Sequence, residues 1–373
     1  MRFVFVPDSF KGSLSSRKLI EILTAAAREH YPEAEIFGLP LADGGEGTVE
    51  ALAWARKLPL LTQQVHGPLG ENITAHYAKT ADGVCLLEMA QACGLPMVPE
   101  SKRNPAKVST LGCGEQLMQL LQAGERRFAM GIGGSASHDC GMGFLSALGG
   151  RFYDASGAPL PPLGENLGKV ARMELPRMDA EISVICDVTN PLCGPTGSAA
   201  VYAPQKGATT SQVAELDEAS LHFGRLLEAT SGKEIVDVPG AGAAGGMGAA
   251  LLSIGARLRG GVDMVLDLLN FQEIARNADL VVTGEGRVDT QSIAYGKAVG
   301  GVAKRCRALG VPVAVLAGSL AVDAVTLEKA GCGAALPLVS GPCELDYAME
   351  HAPELALDAA RRLFSLFAMG GKK

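Results

Sequence analysis

The chain opens with an alternation that leaves few folds open to it. Arg2 to Val6 is a short apolar run with too little alternation for a half-exposed strand, and Pro7-Asp8 closes it. Ser13 or Ser15 can cap the helix that follows, where Leu19, Ile22, Leu23, Ala26 and Ala27 form one apolar stripe. Ile36 to Leu41 reads as a second buried strand, and a helix runs from Thr48 to about Arg56. Such a β–α–β–α beginning belongs to a parallel sheet covered by helices. The same texture returns near the other end. Leu280 to Thr283 is a buried strand ending at Gly284, Val299 to Leu309 is helical, and Val311 to Leu316 and Ala334 to Val339 are strands. A helix marked by Leu355, Ala359, Leu363, Phe364 and Phe367 closes the chain.

The middle reads differently. Leu61 to Val65, Thr74 to Tyr77 and Val84 to Met89 are strands separated by glycine turns with no helix between them, so they pair antiparallel or in a mixed sheet. Helices follow at Gly112 to Leu121, Met142 to Leu148 and Ser211 to Thr230, with strands at Arg127 to Gly131 and Ile182 to Cys186. The expectation is an α/β protein of two domains. One is a doubly wound, Rossmann-like parallel sheet built from both chain ends, residues 1–60 and 275–373, with 105–150 as a further candidate segment. The other is a mixed α/β domain inserted at 61–274. A length of 373 residues suits two domains of roughly 100–200 residues each.

Composition narrows the function. The formal net charge is −7 and no long Lys/Arg block occurs, so nucleic acid is not an expected partner. No run of about 18 apolar residues could span a bilayer. The nine cysteines lack any CxxC spacing, and the N-terminus lacks a signal-peptide core, so a cytoplasmic protein with free thiols is expected. Small molecules are the expected partners, and homo-oligomerisation is left open.

Glycine is the residue in excess: 47 of 373 residues, about 13%, against a usual ~7%. The clusters fall just after predicted strands, at Asp43-Gly44-Gly45-Glu46, Gly131 to Ser135 and Gly284-Glu285-Gly286-Arg287, alongside Pro7-Asp8-Ser9-Phe10-Lys11 and Asp187-Val188-Thr189-Asn190. In open α/β sheets, ligands bind outside the carboxyl ends of strands. Glycines there let backbone N–H groups approach a phosphate, and nearby carboxylates suit Mg²⁺. This combination points to phosphoryl transfer.

Competing readings exist. Residues 131–136 fit GxGxxA and 240–245 fit GxGxxG, each read as following a strand and opening a helix, so an NAD(P)-dependent hydroxyacid dehydrogenase is a rival. A non-catalytic sugar-acid-binding regulator is a second. A Walker A sequence is absent, since Gly296-Lys297 precedes Ala298. Asp8 and Asp43 also fit helix caps, Asp187 an Asx turn, His138 a surface loop histidine, and Glu88 either a buried ligand or a paired core acid.

Taken together, PDSFKGSLS at 7–15, ADGGEGT at 42–48, RNP at 103–105, GIGGSAS at 131–137, CDVTNPL at 186–192, APQKGA at 203–208, GAGAAGGMG at 240–248 and TGEGRVDTQS at 283–292 resemble the bacterial type I glycerate kinase family. YGKAVGGVA at 295–303 also fits, though the family often has GKxP there. The resemblance implies ATP-dependent phosphorylation of D-glycerate, with the 2-position preferred and the 3-position as the alternative. It also implies a flavodoxin-like domain and an inserted restriction-enzyme-like domain.

The expected site follows. Gly133, Gly134, Ser135, Gly284, Glu285, Gly286 and Lys206 take the nucleotide phosphates. Asp43 and Asp187 bind Mg²⁺ or orient the glycerate hydroxyl, Asp8 is the alternative base, and Lys11 joins them in catalysis. Arg287, Arg103, Ser9 and Asn190 hold the substrate.

Overall fold

A computed structural model describes residues 1–42, 44–294 and 297–370. The chain is a mixed α/β protein that divides into two compact units, Met1–Ala42 with Trp54–Arg56 and Val262–Lys373, and Asp43–Ala53 with Lys57–Gly261. The 105–150 segment falls within the second of these.

In the first unit the described residues form a five-stranded parallel sheet. Its strands are Arg2–Pro7, Glu35–Gly38, Leu280–Asp289, Val313–Ala321 and Ala334–Pro337. Numbered along the chain within this unit, their spatial order is 2-1-3-4-5. The strand order therefore reverses between Arg2–Pro7 and Leu280–Asp289, which pair parallel from Phe3 with Leu280 to Pro7 with Gly284. The alternating side chains of the first strand bury two faces. Phe3 and Phe5 join Leu19, Leu23, Ala356 and Phe364 in one core, under the helices Ser16–His30 and Ala352–Gly370. Val288, Val315 and Ala317 pack on the other side with Val299, Ala303 and Leu327, from the helices Ala298–Leu309 and Ala324–Ala330.

The first helix starts where its sequence predicts. Ser15 accepts a hydrogen bond from the Lys18 backbone N–H, a cap worth about 1 kcal/mol. Asp8 is not a helix cap, since that helix begins at Ser16. One boundary differs from expectation. The strand expected to stop at Thr283 continues to Asp289, paired through Val288 with Leu320 and Asp289 with Ala321. Gly284 and Gly286 are thus part of a strand rather than a loop after one.

The second unit has a six-stranded sheet among the described residues, in the order Arg257–Arg259, Glu181–Ile185, Arg127–Gly131, Val84–Glu88, Asn72–Lys79, Leu61–His66. The last two strands pair antiparallel with each other, and Asn72–Lys79 pairs antiparallel with Val84–Glu88. The remaining pairings are parallel. No described helix is long and apolar enough to cross a membrane.

Candidate functional site

In the first unit, the carboxyl end of Arg2–Pro7 meets the glycine motif of the strand beside it. The Asp8 N–H donates to the Gly284 carbonyl at 2.8 Å, and the Asp8 Oδ1 accepts from the Ser9 N–H at 2.6 Å. Gly284 sits so close to the next strand that a Cβ there would run into the Leu316 carbonyl oxygen. At Gly286 the same atom would lie 3.5 Å from the Phe10 Cα and 3.8 Å from the Lys11 nitrogen. The 7–11 segment and the 284–286 segment are therefore packed backbone against backbone where the strand order reverses. That is where ligands bind in doubly wound sheets.

Glu285 lies in this crevice, half-buried. Its Oε1 is buried with no hydrogen-bond partner among the described residues. Burial raises its pKa, and Asp8 adds to the rise while Ser292 and Lys297 oppose it. A buried acceptor without a donor is costly, by about 1–3 kcal/mol. Lys11 is exposed, and Arg287 is exposed with its guanidinium 3.8 Å from Asp289. Lys297 precedes the helix Ala298–Leu309 as its exposed N-cap.

The second unit brings a different set together. Gly44 and Gly47 both have φ +83°, so the 44–47 turn needs glycine at those two positions. Gly133 donates its N–H to the Gly44 carbonyl at 2.9 Å. A Cβ on Gly133 would lie 2.8 Å from the Gly45 Cα, and one on Gly44 would lie 2.7 Å from Ile185. The glycine clusters thus let this turn lie directly on the carboxyl ends of Arg127–Gly131 and Glu181–Ile185. The expected phosphate cradle is modified accordingly. The Gly133 N–H is engaged with Gly44, whereas Gly134 is exposed with φ +74°.

Lys206 also differs from expectation. It is 3% exposed, and its Nζ donates to the Ser135 Oγ and the Ser137 carbonyl, each at 2.7 Å. Burial pulls its pKa down to about 8. Its geometry is that of a support for the 131–137 loop. His138, expected on a surface loop, is fully buried, with Nε2 2.9 Å from the Ser220 Oγ, and burial lowers its pKa to about 3. Beside it, the buried Asp139 accepts from the Thr110 N–H and Oγ1, the Gly141 N–H and the Gly143 N–H.

Asp187 follows the Glu181–Ile185 strand and is exposed, with its Oδ1 accepting the Gly261 N–H at 2.6 Å. The Asn190 side chain is engaged internally, donating to the Thr196 carbonyl and accepting from the Tyr202 hydroxyl. Arg103 donates through Nε to the Val98 carbonyl at 3.4 Å and packs against Gly207. Asp43, the other expected metal ligand, lies outside the described residues, as does Gly296. Among the described residues no group of three or more His, Cys, Asp or Glu side chains is arranged to hold a metal ion. Mg²⁺ in phosphoryl transfer commonly takes one or two carboxylates with phosphate oxygens and water. An exposed Asp187 at a strand end suits that mode.

The dinucleotide reading loses its structural context. After Gly131 the next helix starts only at Met142. The 240–245 stretch follows the helix Thr210–Ser231, not a strand. Its own helix, Ala243–Ser253, begins with Ala244, Gly245 and Gly246 at positive φ. Glycine here serves close packing, since a Cβ at Gly245 would strike the Ser137 carbonyl.

A sequence model of the glycerate kinase family matches residues 3–368. The chain belongs to the glycerate kinase family. It is 42% identical to the glycerate kinase of Halalkalibacterium halodurans over 96% of both chains. It is 39% identical to the glycerate 2-kinase of Escherichia coli over 99% of both. A crystal structure assigned as glycerate kinase 2 of Salmonella typhimurium LT2 superposes over 100% of both chains with a TM-score of 0.86 and 38% identity. The protein is therefore a kinase, and membership of a kinase family implies ATP as a substrate.

Proposed function

We propose that this kinase transfers the γ-phosphoryl group of ATP to the 2-hydroxyl of D-glycerate, in the cytoplasm. The whole-chain family match over residues 3–368 carries the reading, and the relative named glycerate 2-kinase supports the position. In the reaction the glycerate hydroxyl oxygen bonds to the γ-phosphorus, the bond to the ADP oxygen breaks, and the hydroxyl proton passes to a carboxylate. Such a reaction needs positioning and charge neutralisation more than covalent chemistry.

We assign roles as follows. Asp8 accepts the hydroxyl proton. Glu285 accepts a hydrogen bond from a glycerate hydroxyl through its buried Oε1, a better use of a carboxylate than a phosphate contact. Lys11, Ser9 and Arg287 hold the glycerate carboxylate and the transferring phosphate, with the guanidinium suited to a bidentate contact. Gly134 faces the nucleotide phosphates, and Arg103 supplies positive charge. Asp187 and Asp43 would hold Mg²⁺, which neutralises phosphate charge when bound. Lys206, Gly133, Gly284 and Asn190 shape the surrounding loops and strand. We read the first unit as a flavodoxin-like domain, on its 2-1-3-4-5 strand order, and the second as the inserted α/β domain.

The test is an ADP-release assay with Mg-ATP and D-glycerate, with the product identified by phosphorus NMR. A 2-phosphoglycerate signal is the expected result. A 3-phosphoglycerate signal overturns the position, and no ADP release from folded protein overturns the activity.

A further inference from the structure

Glu88 ends the Val84–Glu88 strand and is 1% exposed. Its two oxygens divide their work: Oε1 accepts the Gly47 N–H at 2.8 Å and Oε2 accepts the Val49 N–H at 3.0 Å. Both donors are at the start of the helix Thr48–Arg56, whose first N–H groups have no partner within the helix. Among the described residues no Lys, Arg or His acts on Glu88. The charged groups that face it are Glu46 and Glu50, and both oppose its ionisation.

A core acid with no cation is an unusual choice for a helix start, where a serine or threonine would suffice. What distinguishes this place is the turn it holds. Gly44 is pinned at one end by the Gly133 N–H, and Gly47 is pinned at the other by Glu88. Between them stand Gly45 and the exposed Glu46, and Asp43 immediately precedes the turn in sequence. A carboxylate offers a separate oxygen to each of the two donors, whereas a hydroxyl has a single oxygen.

We propose that Glu88 is a positioning residue for the kinase reaction, clamping the 44–47 turn through two backbone hydrogen bonds without touching substrate. This rests on the reading that the 42–48 stretch serves phosphoryl transfer. Protonation removes one of the two acceptors, so the clamp loosens as Glu88 gains a proton. Burial raises the Glu88 pKa to about 7, which brings that change into the working range.

The experiment compares wild type with Glu88→Gln and Glu88→Asp, measuring kcat and KM for ATP and glycerate from pH 5.5 to 8.5, with melting curves as a fold control. Glu88→Gln keeps the shape but turns an amide toward one donor. Its kcat is expected to fall about 10- to 100-fold, the cost of a misplacement near 1 Å or less, with KM for ATP little changed. The acid limb of the wild-type kcat profile near pH 7 should disappear in that variant. Glu88→Asp, which keeps the charge, should recover part of the loss. A wild-type kcat and an unaltered acid limb in Glu88→Gln would overturn the proposal. Should the variants not fold, hydrogen exchange of wild type decides. The Gly47 and Val49 amides should lose protection between pH 8 and pH 6 while Cys85 to Leu87 keep theirs, and constant protection at Gly47 and Val49 overturns the clamp. Absence of kinase turnover in wild type would instead refute the functional reading on which the clamp rests.

Discussion

Replacing Lys206 by methionine separates a loop-supporting amine from a phosphate-binding one. In the fold the Lys206 ammonium gives two hydrogen bonds, to the Ser135 Oγ and the Ser137 carbonyl, from a position 3% exposed. Hydrogen bonds from a charged group contribute about 1.5–3 kcal/mol each, so the two together contribute about 3–6 kcal/mol. Against this stands the cost of burying the charge. A fall from 10.5 to about 8 corresponds to about 3 kcal/mol. The net loss in Lys206→Met at pH 7 is then about 0–3 kcal/mol. The pH dependence is sharper. Between pH 8 and 10.5 the folded amine is neutral and the unfolded one charged, so the unfolded state binds more protons and stability rises with pH. Wild type should gain about 3 kcal/mol from this group across that window, and the methionine variant none. Cys85, Cys140 and Cys306, whose pKa values burial raises, lower stability over the upper part of the same range, but they do so in both proteins. Urea unfolding of the pair at matched pH gives the difference directly. A stability difference that stays flat from pH 8 to 10.5 would refute the buried-amine argument. A KM for ATP raised more than about 10-fold with unchanged stability would restore the phosphate contact.

Asp139→Ala leaves the Thr110, Gly141 and Gly143 N–H groups without their acceptor in a fully buried site. It should cost about 3–5 kcal/mol, visible as a lower urea midpoint with unchanged m value. Gly284→Ala forces a methyl group against the Leu316 carbonyl of the adjoining strand. It should cost about 1–3 kcal/mol in stability and lower kcat about 100-fold, read from melting curves and ADP release. Asp43→Asn and Asp187→Asn should each reduce kcat by at least about 100-fold while the fold stays intact; near wild-type rates in both would remove them from the phosphoryl-transfer scheme.

Much of the architecture was legible because it is local. The stripe from Leu19 to Ala27, the Ser15 cap and the antiparallel pairing of the strands near 61–88 all follow from period and turn chemistry. Arg257–Arg259 escaped notice because its short run, with charged ends, earns its place only through pairing with Ser183 to Ile185, far away in sequence. The continuation of Leu280–Asp289 past Gly284 was hidden for a related reason: glycine normally weakens a strand, and only the neighbouring Ser319 to Ala321 keeps it in the sheet. At the candidate site the sequence marked Asp8, Gly44 and Gly284 by their glycine- and acid-rich context. It could not mark Lys206 as internal or Glu88 as a clamp. Each depends on partners 39 to 71 positions away.

The pairing of Phe3 with Leu280 has a bearing on how the protein is made. Arg2–Pro7 becomes an interior strand of its sheet, yet its neighbour on one side is encoded some 270 residues later. At roughly 5–20 residues per second, that neighbour appears about 10–50 s after the Glu35–Gly38 strand. Through that interval a ribbon carrying Phe3, Val4, Phe5 and Val6 has an open hydrogen-bonding edge and no cover from the C-terminal helix. The intervening residues have time to fold first, and through that interval the unpaired edge of Arg2–Pro7 is open to mispairing.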